Sequence, residues 1–232
     1  MKILLIIPAY NEEGNIEKLV AELNEKCPFA DYVIVNDCST DNTLKICREN
    51  NFNHLNLCTN LGIGGGVQAG YVYAYENGYD CAIQIDGDGQ HDPSYVKSVV
   101  DIIEKGEADI VIGSRFINCK GFQSSGMRRA GIKFLSFVIK FVCKADVKDV
   151  TSGFRAVNKK YIDFYSKNYA DDYPEPEAIV AAKMNGAVIK ETPVMMRERE
   201  TGKSSISPLK SVYYMFKVTL AIIFARIING RR

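Results

Sequence analysis

The sequence lacks the features that define several common classes of protein. Histidine occurs only twice in 232 residues, and none of the seven cysteines stands in a C-x-x-C pair, so a structural zinc site is not expected. The odd number of cysteines favours free thiols in a reducing compartment over a disulfide framework. With 47% hydrophobic and 25% charged residues, the composition also excludes a disordered chain and a collagen-like repeat.

Long apolar runs are missing as well. The apolar stretch at residues 3–7 is too short for the core of a signal peptide. Residues 212–228 form the most apolar later segment, but Lys217 and Arg226 interrupt it, and its longest charge-free run is far below the ~20 residues that span a bilayer. We therefore expect a cytoplasmic protein that does not cross the membrane.

The net charge of +1 conceals a strong segregation of charge. Residues 1–114 carry a net charge of −11, residues 115–148 carry +7, residues 149–196 carry −1 and residues 197–232 carry +6. An acidic first half followed by two basic segments predicts two kinds of ligand, and we expect no nucleic acid among them.

Apolar runs alternate with helical patterns through the first half of the chain. This alternation predicts an α/β fold, with a parallel sheet covered by helices on both faces and ligands beyond the carboxyl ends of its strands. The predicted strands are residues 2–7, 32–35, 54–58, 81–85 and 109–112. Asn11 is expected to cap the first helix. The second half predicts helices at 128–144, 175–184 and 208–228 and strands at 153–158 and 188–194.

Two carboxylates follow the fourth predicted strand. Asp86 and Asp88 lie in the segment I-D-G-D-G-Q, at a position where both side chains can converge on one point outside the sheet. A hard divalent cation that keeps several waters and binds diphosphate oxygens prefers one or two such carboxylates. The alternative is a solvated acidic turn. The glycine-rich segment 62–66 is not G-x-G-x-x-G and follows the third strand, which argues against a nicotinamide-binding domain.

Five segments at the predicted strand ends resemble the nucleotide-sugar domain of family 2 glycosyltransferases. They are P-A-Y-N-E at 8–12, N-D-C-S-T-D at 36–41, N-L-G at 60–62, D-G-D-G-Q-H-D-P at 86–93 and G-S-R at 113–115. The segment D-V-T-S-G-F-R at 149–155 is similar to one in the dolichyl-phosphate mannosyltransferase-like subgroup.

The resemblance implies a GT-A fold, Rossmann-like, with a mixed, mainly parallel sheet. The GT-A domain would cover residues 1–206, with a nucleotide-sugar half at 1–114 and an acceptor half at 115–206. Residues 207–232 would form a C-terminal amphipathic basic helix.

The resemblance also implies roles for individual residues. Asp88 would be the firmer ligand of a Mg²⁺ or Mn²⁺ ion and Asp86 the second, facing the ribose and diphosphate. Gln90 would complete the metal site or touch the leaving phosphate. Arg115 and Arg129 would bind phosphate oxygens near the acceptor. Contacts to the nucleotide are expected from Pro8, Tyr10, Glu12, Asp37 and Gly62.

The implied reaction is an inverting sugar transfer to a polyprenyl phosphate or to a lipid-linked or cell-surface glycan. A cation and arginines stabilise the negative charge that develops on the departing diphosphate. A hydroxyl acceptor needs a general base, whereas a phosphate acceptor needs none. Asp172 and Glu175 are the expected catalytic acids, beside Asp171 and Glu177. The alternative for all four is a solvated loop and helix N-terminus.

Two basic features of the second half are expected to serve the acceptor. Arg199 and Lys203 lie in a polar loop that predicts a mobile lid over phosphate, or else a solvated surface loop. The helix at 128–144 and the final helix are apolar with basic stripes, which predicts peripheral attachment to an anionic membrane surface on the cytoplasmic side. A dimer interface or a small membrane partner at the C-terminal helix is the alternative.

Two other functions compete with glycosyl transfer. A sugar nucleotidyltransferase shares the sheet type, but it should carry basic residues in a glycine-rich loop after the first strand, where this chain has A-Y-N-E. A non-catalytic nucleotide-sugar-binding scaffold has no need of both Asp86 and Asp88.

Overall fold

The computed structural model describes residues 1–118, 126–171, 174–198, 217–224 and 226. Strands and helices alternate as far as the fifth strand, as the apolar pattern predicts. In chain order the elements are β1 (Ile3–Ala9), α1 (Ile16–Lys26), β2 (Asp31–Asn36), α2 (Thr43–Glu49), β3 (His54–Asn56), α3 (Gly62–Glu76), β4 (Cys81–Gln84), α4 (Val96–Glu104), β5 (Ile110–Ser114), α5 (Gly126–Cys143), β6 (Arg155–Asn158), α6 (Lys159–Lys167), α7 (Pro174–Met184) and β7 (Ile189–Pro193). A short 3₁₀ turn at Pro93–Tyr95 leads into α4.

One mixed sheet contains all seven of these strands, in the order β3-β2-β1-β4-β6-β5-β7. Its pairings are parallel except at β6, which runs antiparallel to both β4 and β5. The carboxyl ends of β1, β2 and β4 therefore lie at one edge of the sheet, and the start of β6 joins them there. The predicted mixed, mainly parallel sheet is confirmed.

Helices cover both faces of the sheet because each presents an apolar stripe to it. On one face, α1 buries Ile16, Leu19 and Leu23 and packs with α4. On the other face, α3, α5, α6 and α7 enclose the second apolar cluster. In the final segment, Val218 and Ile222 are buried against this second cluster. No helix in the described parts of the chain combines the length and apolar character needed to cross a membrane.

Two local expectations are wrong. Asn11 does not cap α1, which begins at Ile16; its backbone adopts a positive φ of 57°, and its side chain turns to the β2–α2 loop instead. Helix α6 was not expected, since its pattern follows the β6 strand without a turn between them. Its Asn158 cap accepts a hydrogen bond from the Tyr161 amide, which starts the helix directly at the strand end.

Candidate active site

A large pocket of about 1010 Å³ opens at the carboxyl edge of the sheet, where the strand-end loops converge. Its lining unites seven of the residues expected from the sequence: Pro8, Tyr10, Glu12, Asp37, Gly62, Asp86 and Asp88. It also includes Asp41 and Asn60, which lie in two of the strand-end segments, and Asn15, which lies in none of them. A pocket with carboxylates on one wall and a glycine-opened helix on the other suits a polar ligand that carries its own cation.

The floor of this pocket is held by hydrogen bonds between two loops. The side-chain oxygen of Asn11 accepts from the amides of Thr40 at 2.8 Å and Asp41 at 3.3 Å. The amide of Glu12 in turn donates to Thr43 Oγ1 at 2.9 Å. These contacts fix the β1–α1 loop to the β2–α2 loop, so the pocket is preformed on this side.

Asp37 connects the end of β2 to the start of α3. It is 4% exposed, and its Oδ1 accepts a 2.7 Å hydrogen bond from the amide of Leu61. Its carbonyl accepts from the side-chain amide of Asn60 at 3.0 Å. Gly62 follows with a positive φ of 74°, a conformation that glycine adopts without strain. Asp37 thus presents a carboxylate to the pocket from a fixed position.

Asp86 is held from three sides at the exit of β4. Its Oδ1 accepts from Gln84 Nε2 at 3.0 Å, and its amide donates to His91 Nδ1 at 3.0 Å. The backbone of Gly153 closes the third side, since a Cβ there would lie 2.9 Å from both carboxylate oxygens of Asp86. Asp88, two residues on, accepts at Oδ1 from the amide of Gln90 at 3.1 Å.

Two carboxylates so placed fit a divalent cation. Among the described residues, no cluster of three or more His, Cys, Asp or Glu side chains is placed to hold a metal ion. Such a site suits a Mg²⁺- or Mn²⁺-type ion, which takes one or two carboxylates and completes its shell with water and substrate phosphates.

Gln90 lies beside the pocket and bonds to the segment after β7. Its Nε2 donates to the carbonyl of Arg197 at 3.2 Å, and its own carbonyl accepts from the Arg197 amide at 3.0 Å. Arg197 also pairs with Glu22 at 2.9 Å and Asp92 at 3.2 Å. A metal role for Gln90 stays a prediction. Arg199, Lys203 and Asp172 lie outside the described residues.

Arg115 is a buried partner of Asp149. Its Nε lies 2.7 Å from Oδ2 and its Nη2 lies 2.6 Å from Oδ1, and the two residues are 6% and 0% exposed. A further hydrogen bond of 3.0 Å reaches Thr151 Oγ1. The pair fixes the end of β5 to the segment before β6, so phosphate binding by Arg115 stays a prediction.

A second groove, of about 670 Å³, runs along α5. Arg129 lines it, and Lys133 does so one turn further along the helix, while acceptor binding by Arg129 stays a prediction. Lys148 and Phe116 add a third cation and an aromatic ring from outside the helix. The groove therefore combines basic heads with an apolar wall.

Comparison with known proteins decides the family. Residues 4–165 match the domain described as glycosyl transferase family 2. The chain belongs to this family. The family 2 assignment makes the protein a glycosyltransferase and confirms the resemblance drawn from the strand-end motifs.

Two curated relatives place this glycosyltransferase within the dolichyl-phosphate mannosyltransferase-like subgroup. It is 35% identical over 212 residues to a UDP-N-acetylglucosamine--dolichyl-phosphate N-acetylglucosaminyltransferase of Methanococcus voltae, covering 83% of this chain and 84% of the relative. It is 27% identical over 225 residues to a polyprenol monophosphomannose synthase of Mycolicibacterium smegmatis, covering 93% and 84%.

A solved structure confirms the GT-A fold of this glycosyltransferase. The crystal structure of glucosyl-3-phosphoglycerate synthase from Mycobacterium tuberculosis, in complex with Mn²⁺, UDP-glucose and phosphoglyceric acid, superposes with a TM-score of 0.73 at 16% identity. The superposition covers 97% of this chain and 79% of the other.

The glycosyltransferase carries one acid at α7 whose charge interacts with Asp86. Burial raises the pKa of Glu175, and the negative charge of Asp86 raises it further, while Arg155 and Arg115 oppose the shift. Asp171 is exposed and Glu177 is half-buried. Glu175 thus lies within electrostatic range of Asp86.

Some contacts around the site carry no signal in the sequence. Asp149 lies 34 positions after Arg115, and no local pattern announces their pairing. Lys148 reaches the α5 groove from a loop, where single basic residues are ordinary. The D-V-T-S-G-F-R segment singles out Asp149 by its similarity to the subgroup, but it does not indicate which residue Asp149 pairs with.

Proposed function

We propose that the protein is a metal-dependent, inverting glycosyltransferase that moves a sugar from a nucleotide diphosphate sugar to a polyprenyl phosphate. The observation that carries the proposal is the pairing of two unlike sites on one sheet edge. An acidic pocket suited to a cation and a diphosphate opens where β1, β2 and β4 end, and a basic, partly apolar groove suited to a lipid phosphate is lined by Phe116, just after the end of β5 at the same edge. The names of both curated relatives contain a polyprenol or dolichyl phosphate, which supports this acceptor class.

The donor half would bind a cation that offsets the negative charge of the donor diphosphate. Asp88 and Asp86 would hold a Mg²⁺ or Mn²⁺ ion, and the Mn²⁺ in the superposed crystal structure supports such a cofactor. When bound, this ion would supply stabilisation of the negative charge on the leaving diphosphate. Asp37 would accept hydrogen bonds from the base or ribose, while Tyr10, half exposed at 49%, would cover the nucleoside.

The acceptor half would supply a nucleophile that is already ionised. A phosphate oxygen needs no general base, so the cations Arg129, Lys133 and Lys148 have only to hold it in line with the sugar–phosphate bond. Attack from the face opposite the diphosphate inverts the anomeric carbon. Glu175 would then serve to orient the donor rather than to remove a proton.

The exposed face of α5 would bring the enzyme to its lipid. Phe134, Phe137 and Phe141 are 50%, 68% and 81% exposed and lie on one side of the helix. At 100° per residue, the basic side chains of Arg129, Lys133 and Lys140 fall beside this aromatic stripe, and the α5 sequence contains no acidic residue. Such a helix suits attachment in the plane of an anionic membrane surface.

The deciding experiment is a panel of nucleotide sugars, tested with Mn²⁺ or Mg²⁺ and with a short polyprenyl phosphate. Release of nucleoside diphosphate that needs both the metal and the acceptor supports the proposal. Asp88→Ala should abolish it, whereas Asp163→Asn, an exposed acid on α6, should not. Absence of release with every donor, in the wild type as in Asp88→Ala, would refute it and favour a binding scaffold.

A further inference from the structure

A buried arginine lies behind the donor pocket, and the roles assigned above leave its hydrogen bonds unused. Arg155 begins β6, is 0% exposed and stands in register with Gln84 of β4, two residues before Asp86. Its Nη1 donates to the carbonyl of Glu175 at 3.2 Å, and its Nη2 donates to the carbonyl of Ser152 at 2.8 Å. Its side chain thus connects the segment just before β6 to the start of α7, while its main chain pairs with the end of β4.

The surroundings of Arg155 are unusual for a residue with a purely structural role. Both hydrogen bonds go to main-chain carbonyls, and its Nε finds no hydrogen-bond partner in the described parts of the chain. Three tyrosines surround the guanidinium closely enough to interact with it electrostatically. They are Tyr71, Tyr165 and Tyr169, and their ring centroids lie 5.2 to 5.4 Å from one another. Burying a guanidinium without a bonded carboxylate is costly, and filling space would not require it.

The start of α7 has little room to move. A Cβ at Gly64 would lie 2.1 Å from the carbonyl oxygen of Ala170, so the segment that leads to α7 packs directly on the first turn of α3. Arg155 donates to the carbonyl of Glu175, which lies in the first turn of α7. The charges that act on the Glu175 side chain are those of Arg155, Asp86 and Arg115.

We propose that Arg155 is a positioning residue of the donor site, which clamps the start of α7 to the segment before β6, where Gly153 packs against Asp86, and so fixes the position of Glu175. The proposal rests on the function proposed above, because it concerns the same pocket. Arg155 touches no substrate in this arrangement and acts through Glu175. The nucleoside end of the pocket, around Asp37, does not depend on it.

Replacing Arg155 by lysine distinguishes the effect of its two hydrogen bonds from the effect of its positive charge. Lysine keeps the positive charge but lacks the planar fork that reaches two carbonyls at once. We expect Arg155→Lys to lower kcat about 10- to 100-fold, the cost of a small misplacement of a reacting group. Binding of the nucleoside diphosphate of the best donor in the panel, measured by calorimetry with Mn²⁺, should change less than about twofold, because an unperturbed site changes little.

A double-mutant cycle tests whether Arg155 acts through Glu175. If it does, Arg155→Lys with Glu175→Gln should be no slower than the slower single variant. Glu175→Gln removes the carboxylate whose position Arg155→Lys disturbs, so the two losses should not multiply. A double variant whose loss equals the product of the two single losses would overturn the proposal. So would a loss of nucleotide affinity equal to the loss of kcat.

A matched control guards against general destabilisation. Tyr161→Phe removes a buried hydroxyl that donates to the carbonyl of Asn185 at 3.1 Å, away from the pocket. It should lower the melting temperature while leaving kcat near the wild-type value. If Arg155→Lys and Arg155→Gln both fail to fold while Tyr161→Phe folds, Arg155 is structural and the proposal fails. A wild type that is inactive with every donor would instead count against the proposed function.

Discussion

Arg115 and Asp149 form a bidentate ion pair in the interior, with Nη2 and Nε lying 2.6 and 2.7 Å from the two carboxylate oxygens. The amide of Arg115 also donates to Asp149 Oδ2 at 3.1 Å. Asp149 thereby holds the end of β5 at three points. Through Ser152, whose hydroxyl donates to the Gly113 carbonyl at 2.7 Å, the same segment continues to the turn that cradles Asp86.

Removing the carboxylate of this pair should destabilise the protein strongly. We expect Asp149→Ala to lower the free energy of unfolding by about 3–5 kcal/mol, because it leaves a buried guanidinium without its partner. Urea unfolding measures the change. Asp146→Ala is the matched control, since its carboxylate is 77% exposed, and it should cost less than about 1 kcal/mol. Similar losses in the two variants would contradict a structural role for the Arg115–Asp149 pair.

A methyl group at Gly153 should disturb the proposed metal site without replacing either of its proposed ligands, Asp86 and Asp88. The added Cβ would meet both oxygens of Asp86 and the Gln84 amide nitrogen at 2.9 Å, so Asp86 must move. We expect Gly153→Ala to reduce turnover at least about tenfold and to raise the Mn²⁺ concentration for half-maximal activity. Gly78→Asn is the control, because nothing lies within 4 Å of its Cβ and asparagine tolerates its positive φ of 67°. Normal metal dependence in Gly153→Ala would show that Asp86 is not a ligand.

The hydrogen bonds of Arg197 to Asp92 lower the pKa of this carboxylate, so removing Arg197 should make the protein less stable in acid. Burial alone raises the pKa of Asp92, but hydrogen bonds from Ser94 and Arg197 outweigh it and lower that pKa to about 2. A depressed pKa contributes stability above the ordinary value of 3.8, and this contribution is lost as the pH falls towards 2.

Arg197→Met should therefore raise the pH at which the protein unfolds in acid. The contribution to the free energy of unfolding that it removes is on the order of 1 kcal/mol. Acid titration followed by circular dichroism gives the midpoint. The comparison is Lys190→Met, which removes an exposed 2.9 Å pair with Glu107 and should leave the midpoint unchanged. Equal midpoints for wild type and Arg197→Met would exclude this contribution.

If the aromatic stripe of α5 attaches the protein to the membrane, changing it should reduce membrane binding without affecting turnover of a soluble acceptor. We expect Phe137→Ser with Phe141→Ser to reduce binding to vesicles that contain anionic lipid, since both rings are exposed and neither lines the groove. Turnover with a short, water-soluble polyprenyl phosphate should stay near the wild-type value. Exposed Val188, which is 52% accessible and lies just before β7, offers a control as Val188→Ser. Vesicle flotation at low and high salt measures the binding, and unchanged flotation of the double variant would refute attachment through α5.

The donor side of the fold could be predicted because its information is local. Each strand of β1, β2 and β4 is a short apolar run, and the polar residues that follow it reach the pocket as a direct result of parallel pairing. Thus Pro8, Asp37 and Asp86 could be assigned to one edge from their positions alone.

The rest depends on contacts between distant parts of the chain. Gln84 and Arg155 are neighbours only because β6 runs antiparallel beside β4, and a four-residue strand carries no signal of its direction. The role of Asn11 was missed for the same reason, since its partner is the Thr40 amide of another loop. A local reading of a helix start cannot anticipate a tertiary hydrogen bond that replaces it.

The position of β6 has a consequence for how the chain assembles during synthesis. Strands β4 and β5 are separated in the sheet by β6, which the ribosome makes about forty residues after β5, at Arg155–Asn158. The nascent donor half can therefore pair β1 with β2 and β4, and β2 with β3, but β5 has no place in the sheet until β6 emerges. Because Asp86 is cradled by Gly153, just ahead of β6, its carboxylate acquires its final geometry only late in translation.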